Sequence, residues 1–516
     1  MASTSPVAND LDDSTAPKPK FADIDDRLSL ELVIALVGPV GSGCTTTYET
    51  LSKELADEYG YDTVHIVFSD LIKDHAHEVF MDFPAALSAS DRIDRFQTAG
   101  NALRSRFADR YLADRAIEKI AIERDQRKGY EAVGDTRVVV PQRRAYFLDS
   151  LKNPAELKRL RQVYGDLLWV VSVFAPEDVR LERLKRKGME DSDARYAMTR
   201  DYDEELNSGQ KVSKIAHQAN YFIRNSSENK EDLKAPCERF LQTIFGIELH
   251  TPTYAEKGMM EAASAAVRSA CLSRQVGAAI YDQKGDLLGV GCNDVPKSGG
   301  GLYGEDGGAD HRCFRWQENE CHNDKHKLSL ATNIVAAVGT TKENATDLVA
   351  EAMEGGVANL IEFSRSVHAE MEAIVSVARL GTGSTIGATL YTTTFPCHNC
   401  ARHIVAAGVS TVYYVEPYSK SLALELHSDS ITLDESLGEK VRFLQYEGFA
   451  PRTSLRLFSS SGRERKENGK FVEANPREAK PIFATPLDSY TMTENLVISK
   501  LNAGGDGEGD DPETAA

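Results

Sequence analysis

Apolar residues in this chain gather into short unbroken runs separated by longer mixed stretches. Residues 32–37 (Leu-Val-Ile-Ala-Leu-Val) and 167–174 (Leu-Leu-Trp-Val-Val-Ser-Val-Phe) have the length and branched content of strands buried on both faces. Residues 145–149 and 219–225 read as further strands, 64–73 as a strand followed by a loop, and 48–59 and 176–187 as helices. Strands alternating with helices over 28–248 predict a parallel sheet covered on both sides. A second series follows. Met371, Ile374, Val375 and Val377 give 366–380 a helical apolar face, and 388–393 reads as a buried strand. A helix over 397–406 stops at Gly408, and 411–415 is another strand. The fold class is therefore α/β in two domains, 28–248 and 251–450, with a moderately apolar extension over 451–501 that could pack on either. Polar stretches at 1–27 and 502–516, the latter acidic, are expected to be disordered.

The second domain carries the densest chemistry. His368-Ala369-Glu370 is followed by Pro396-Cys397-His398-Asn399-Cys400, the H-x-E and P-C-x-x-C pattern of zinc-dependent nucleobase deaminases. One imidazole and two thiolates can hold Zn²⁺ while leaving a fourth position for water, and Glu370 stands close enough to carry protons without being a ligand. Cys397 and Cys400 taken alone would fit a structural zinc knuckle or a redox pair equally well; the His-Ala-Glu segment tips the balance. On these residues, 251–450 resembles the cytidine/deoxycytidylate deaminase family. The resemblance implies an α/β/α domain whose first two strands are 274–280 and 288–293, with Asn293 at the position that contacts the nucleotide sugar. It also implies that the insertion over 294–365 shapes the nucleotide pocket. Cys271, Cys313, Cys321 and His322, or His311 in place of one, could supply a second, structural zinc site; reduced thiols in a packed segment are the plainer reading.

The first domain opens on a glycine loop. The strand at 32–37 runs into Gly38-Pro39-Val40-Gly41-Ser42-Gly43-Cys44-Thr45-Thr46 ahead of a helix, the strand–loop–helix context in which backbone N–H groups converge on phosphate. Thr45 occupies the Ser/Thr position, but Cys44 stands where a phosphate-binding lysine belongs and is too short and uncharged to replace it. Lys73, Arg143 or Arg144 could cover the missing cation. The strand at 145–149 ends in Asp149, where such folds hold Mg²⁺ indirectly. Residues 28–248 resemble the nucleoside-monophosphate kinase branch of P-loop proteins, which implies ATP or another nucleoside triphosphate with Mg²⁺ at the loop; the missing lysine counts against kinase activity.

Composition narrows the reading. With 60 Lys and Arg against 79 Asp and Glu the net charge is −19, which opposes stable DNA binding. No run approaches eighteen apolar residues, and 1–20 lacks the apolar core of a secretory signal. Eight irregularly spaced cysteines suit a reducing cytoplasm. The whole layout resembles bacterial antiphage deoxycytidine nucleotide deaminases. That resemblance implies deamination of dCTP and dCMP to deoxyuridine nucleotides, depletion of dCTP during infection, a homo-oligomer, and restraint of the activity by an RNA or protein inhibitor. A housekeeping dCMP deaminase with a regulatory nucleotide-binding domain and a nucleic-acid-editing deaminase are the alternatives.

Overall fold

The computed structural model describes residues 24–503 apart from 134–135, 205, 228, 307, 340–341, 419, 460–464 and 473. Most of both expected tails lies outside the described residues. At the described edge of the first, Ile24–Arg27 form a 3-10 turn, and Arg27 is buried, donating to the Val139 carbonyl at 2.6 Å and to Asp488.

Strands β1 (Leu32–Val37), β2 (Asp62–Val67), β3 (Arg144–Asp149), β4 (Leu168–Phe174) and β5 (Tyr221–Arg224) form a parallel sheet in the order β5-β4-β1-β3-β2. All of β1 is buried, which is why its sequence is an unbroken apolar run instead of an alternating one. Helix α1 (Cys44–Asp57) starts directly from the glycine loop, four residues before the expected 48. The loop expected to end the 64–73 stretch is instead helix α2 (Phe68–His75), whose Phe68, Leu71 and Ile72 sit at i, i+3, i+4 and are all buried. Helices α3 (Tyr111–Gln126), α4 (Glu177–Arg186) and α5 (Asp191–Tyr202) help complete the cover.

The second sheet contains β6 (Gly277–Tyr281), β7 (Leu287–Cys292), β8 (Thr389–Thr394), β9 (Thr411–Glu416), β10 (Ile431–Thr432) and β11 (Val441–Gln445), in the order β10-β11-β9-β8-β6-β7. Strand β6 runs antiparallel to both its neighbours, β7 and β8, while the other pairs are parallel. Helix α6 (Tyr254–Ala266) covers one face; on the other lie α8 (Ala369–Leu380) and α9 (His398–Ala406), while α7 (His322–Val338) belongs to the insertion. Alternation along the strands sorts the side chains: Ala278, Ile280 and Leu390 pack with Ala369 and Ala373, while Ala279, Tyr281 and Tyr391 pack with Met259 and Ala262. At Gly291 only a hydrogen fits, because a Cβ would lie 2.3 Å from the Ala369 carbonyl oxygen. That close approach presses α8 onto β7 and fixes where its first turn points.

The two halves share one core, in which Met259, Ala279 and Tyr391 join Val33, Leu148 and Phe222. A short strand β12 (Gly448–Phe449) pairs antiparallel with β5 and so extends the first sheet with residues from the second half. Buried Glu256 on α6 accepts from Phe449 N–H at 3.0 Å and pairs with Arg239 at 2.5 Å. Of the extension, Pro451–Phe458 is a helix and Leu457 joins the first half's core; helix α10 (Leu487–Asn502) packs on α3. Beneath α10, fully buried Arg124 lies between Glu31 (2.9 Å) and Glu494 (2.6 Å), with the hydroxyls of Tyr146 and Tyr490 donating to Glu31.

Candidate functional site

Two helix N-termini meet at one point. His368 is the residue before α8 and Cys397 the residue before α9, whose sulfur accepts from Cys400 N–H at 3.4 Å. His368 Nδ1 lies 3.3 Å from Cys397 Sγ and 3.4 Å from Cys400 Sγ, and the three side chains' donor atoms all fall within 4.8 Å of one another. The P-C-x-x-C spacing works because residues 397 and 400 bracket one helical turn, so both sulfurs face the same way. The Cys397 thiol is drawn down to about 4 by the hydrogen bond from Cys400 and by His368, against its burial. The same shared hydrogen bond, with burial, pushes the Cys400 thiol up. Helix dipoles add to the thiolate preference. One imidazole nitrogen, one ready thiolate and a second thiol form a donor set that suits Zn²⁺, and among the described residues no fourth His, Cys, Asp or Glu joins the group.

Glu370, in the first turn of α8, is 4% exposed, and its Oε2 lies 3.5 Å from Cys400 Sγ. Burial raises its carboxyl above the usual range, which suits a group that must both take and give a proton. Above it opens a cavity of about 280 Å³ lined by His368, Glu370, Cys397, Asn293, Phe395 and Tyr418 among others. Asn293 does line it, but both ends of its amide are engaged: Oδ1 accepts from Val276 N–H at 2.7 Å and Nδ2 donates to the Arg274 carbonyl at 2.8 Å. Cys271, Cys313, Cys321 and His322 line the same cavity without gathering: among the described residues only the His368 group brings three donors within 4.8 Å. His311 is stacked between Tyr303 and Trp316. The cavity also holds Lys327 and Arg365, which no motif in the sequence marks.

The glycine loop has the expected shape. Gly41 and Gly43 take left-handed φ values of 83° and 94°, and a Cβ on Gly43 would lie 2.0 Å from Asn225 Nδ2. Asn225 Nδ2 donates to the Ser42 carbonyl at 2.9 Å, and Arg183 donates to the carbonyls of Gly41 and Ser42. Thr45 Oγ1 donates to Asp149 at 2.9 Å; Thr46 lends its carbonyl to Thr50. Burial raises the Cys44 thiol to about 12, so it is neutral. Neither Arg143 nor Arg144 supplies the missing cation. Both stand at the opposite end of β3 from Asp149, Arg143 on the carbonyls of Pro476, Arg477 and Ala479, Arg144 on Asp62. Lys73 is exposed on α2. The lysine at the loop is Lys152, three residues past Asp149. Its Nζ donates to the Gly38 carbonyl at 2.8 Å and pairs with buried Asp201 at 3.0 Å. Asp201 in turn accepts from Val40 N–H at 2.7 Å. A carboxylate from α5 thus takes the backbone donor that the sequence alone assigns to a phosphate.

Residues 252–416 match the cytidine and deoxycytidylate deaminase zinc-binding region. The chain is similar to the deoxycytidylate deaminase of Enterobacteria phage T4, 30% identical over 154 residues, which are 30% of this chain and 72% of that protein. It is also similar to ComE operon protein 2 of Bacillus subtilis (strain 168), 46% identical over 55 residues; the match spans 11% of this chain and only 29% of that protein's length. Among solved structures it is similar to shikimate kinase from Acinetobacter baumannii in complex with shikimate, at 14% identity and a TM-score of 0.25, covering 42% of this chain and 96% of that one.

Proposed function

We propose, for a chain that belongs to the cytidine and deoxycytidylate deaminase family, hydrolytic deamination at C4 of the cytosine in deoxycytidine nucleotides. The observation that carries this reading is the buried Glu370 carboxyl, 3.5 Å from Cys400 within the floor of the cavity. When bound by His368, Cys397 and Cys400, Zn²⁺ supplies the Lewis acidity that lets water act as a nucleophile near neutral pH. Glu370 accepts the proton released as the water oxygen bonds to C4 and delivers it to N3. It then moves a proton to the amino nitrogen, so that C4–N cleavage releases ammonia and leaves the C4 carbonyl of a deoxyuridine nucleotide. Phe395 and Tyr418 give the cavity apolar walls suited to a pyrimidine ring, and Asn293 stiffens the strand end beside it.

The finer reading is that dCTP and dCMP are both consumed and that the drain on dCTP limits phage replication. Mass-spectrometric product analysis over a panel of cytosine nucleotides tests the reaction: deoxyuridine products with stoichiometric ammonia support it. A protein carrying zinc that converts none of them sinks it. Phage challenge of cells with the wild-type chain or Glu370→Ala tests the cellular role, since equal plaque counts would leave only a metabolic dCMP deaminase.

A further inference from the structure

Around the cavity stand four cationic side chains: Arg274, Lys327, Arg365 and Lys420. They are not equivalent. Arg274 faces Glu416 at 3.5 Å and lies over the Tyr418 ring, and Lys327 is near Asp324. Lys420 is exposed at the rim. Arg365 is paired with no carboxylate among the described residues, although it is half-buried. Its position is nevertheless fixed from two sides. One guanidinium nitrogen donates to the His311 carbonyl at 3.1 Å, and the guanidinium lies 5.1 Å from the centroid of the Trp316 ring.

Trp316 is itself held. It stacks on His311 with ring centroids 4.5 Å apart, and His311 stacks on Tyr303 at 5.3 Å. The backbone is pinned as well: Val367, two residues on, donates to the Asp294 carbonyl at 3.0 Å, which ties both ends of the insertion together. A guanidinium stacked on an aromatic face keeps its planar fork of donors while losing little freedom on binding. The donors left over on a pre-oriented guanidinium in a cavity wall, with no carboxylate partner among the described residues, suit the oxygens of a phosphate. Arg365 lies three residues before His368, on the segment that leads into α8, and lines the same cavity as Glu370.

We propose that Arg365 binds the phosphate group of the substrate and that Trp316, with His311 behind it, is the positioning residue that aims it. The assignment rests on the deaminase reading for the substrate's identity but not for its test. The insertion over 294–365 then does more than enclose the cavity: it selects nucleotides over nucleosides.

The full-length wild type, Arg365→Gln, Trp316→Ala and Trp316→Phe are compared by steady-state kinetics on dCMP, dCTP and deoxycytidine, and by calorimetric binding of dUMP. Arg365→Gln should raise KM for both nucleotides about 10- to 100-fold, with kcat little changed and kcat/KM for deoxycytidine unaltered. Trp316→Ala should give a smaller rise in KM, and Trp316→Phe, which keeps an aromatic face, should restore most of it. Unchanged nucleotide KM in Arg365→Gln overturns the assignment, as does an equal loss on nucleotide and nucleoside. If wild type deaminates nothing yet binds dUMP and loses that binding in Arg365→Gln, the phosphate subsite stands while the reaction reading falls. Equal dUMP binding by wild type and Arg365→Gln removes the subsite whatever the reaction.

Discussion

At the scale of single residues, the proposed roles divide between three side chains that hold a metal and one that moves protons. His368, Cys397 and Cys400 converge within 4.8 Å, whereas Glu370 stands beside them with its carboxyl raised by burial. Glu370→Gln should therefore keep one zinc per chain by elemental analysis while kcat for dCMP falls about 10²- to 10⁴-fold, the usual share of a proton-transfer group. A variant with full turnover would remove Glu370 from the chemistry. Cys397→Ser should lose zinc and turnover together, and dialysis of wild type against a chelator should do the same, reversed by added Zn²⁺. All four residues were legible in the sequence, because ligand type and one-turn spacing are local properties. Arg365 and Lys327 were not. Which residues face a cavity is settled by the fold, and nothing in the order of residues along 294–365 marks these two.

At the scale of elements, the glycine loop teaches the opposite lesson. Its strand, its left-handed glycines and the following helix are written in residues 32–57, yet its chemistry is set by Asp201 and Lys152 from two other elements. Asp201→Ala strips the acceptor from Val40 N–H and leaves Lys152 without its carboxylate. The expected cost is about 1.5–3 kcal/mol, the range for hydrogen bonds to a charged group, read as a lower urea midpoint. An unchanged midpoint would mean that solvent replaces Asp201 without loss. Helix α2 shows a smaller failure of the same kind. The later part of 64–73 lacks a capping side chain at its start, so the sequence reads as loop there, and burial of Phe68, Leu71 and Ile72 decides for helix.

At the scale of the whole molecule, the chain is stitched across its length. Helix α10 closes over Arg124, β12 adds to the first sheet, and the two halves share a core. Arg124→Met would leave Glu31 and Glu494 buried without their cation, a loss of about 3–5 kcal/mol. Denaturant unfolding should move accordingly, and a chain ending at residue 486 should be as badly destabilised. A truncated chain with wild-type unfolding would show α10 to be an accessory. The sequence by itself determined the α/β class, where most strands fall along the chain and which three residues converge as candidate metal ligands, because apolar periodicity and short ligand spacings are encoded within a few residues. Only the tertiary structure decided that an aspartate 161 positions after Val40 takes up its N–H, that the last helix belongs to the first half, and that Arg365 faces the cavity. The first two share a physical reason. Long-range partners are chosen by which buried polar groups would otherwise go unsatisfied, and that demand exists only once the chain has folded around them.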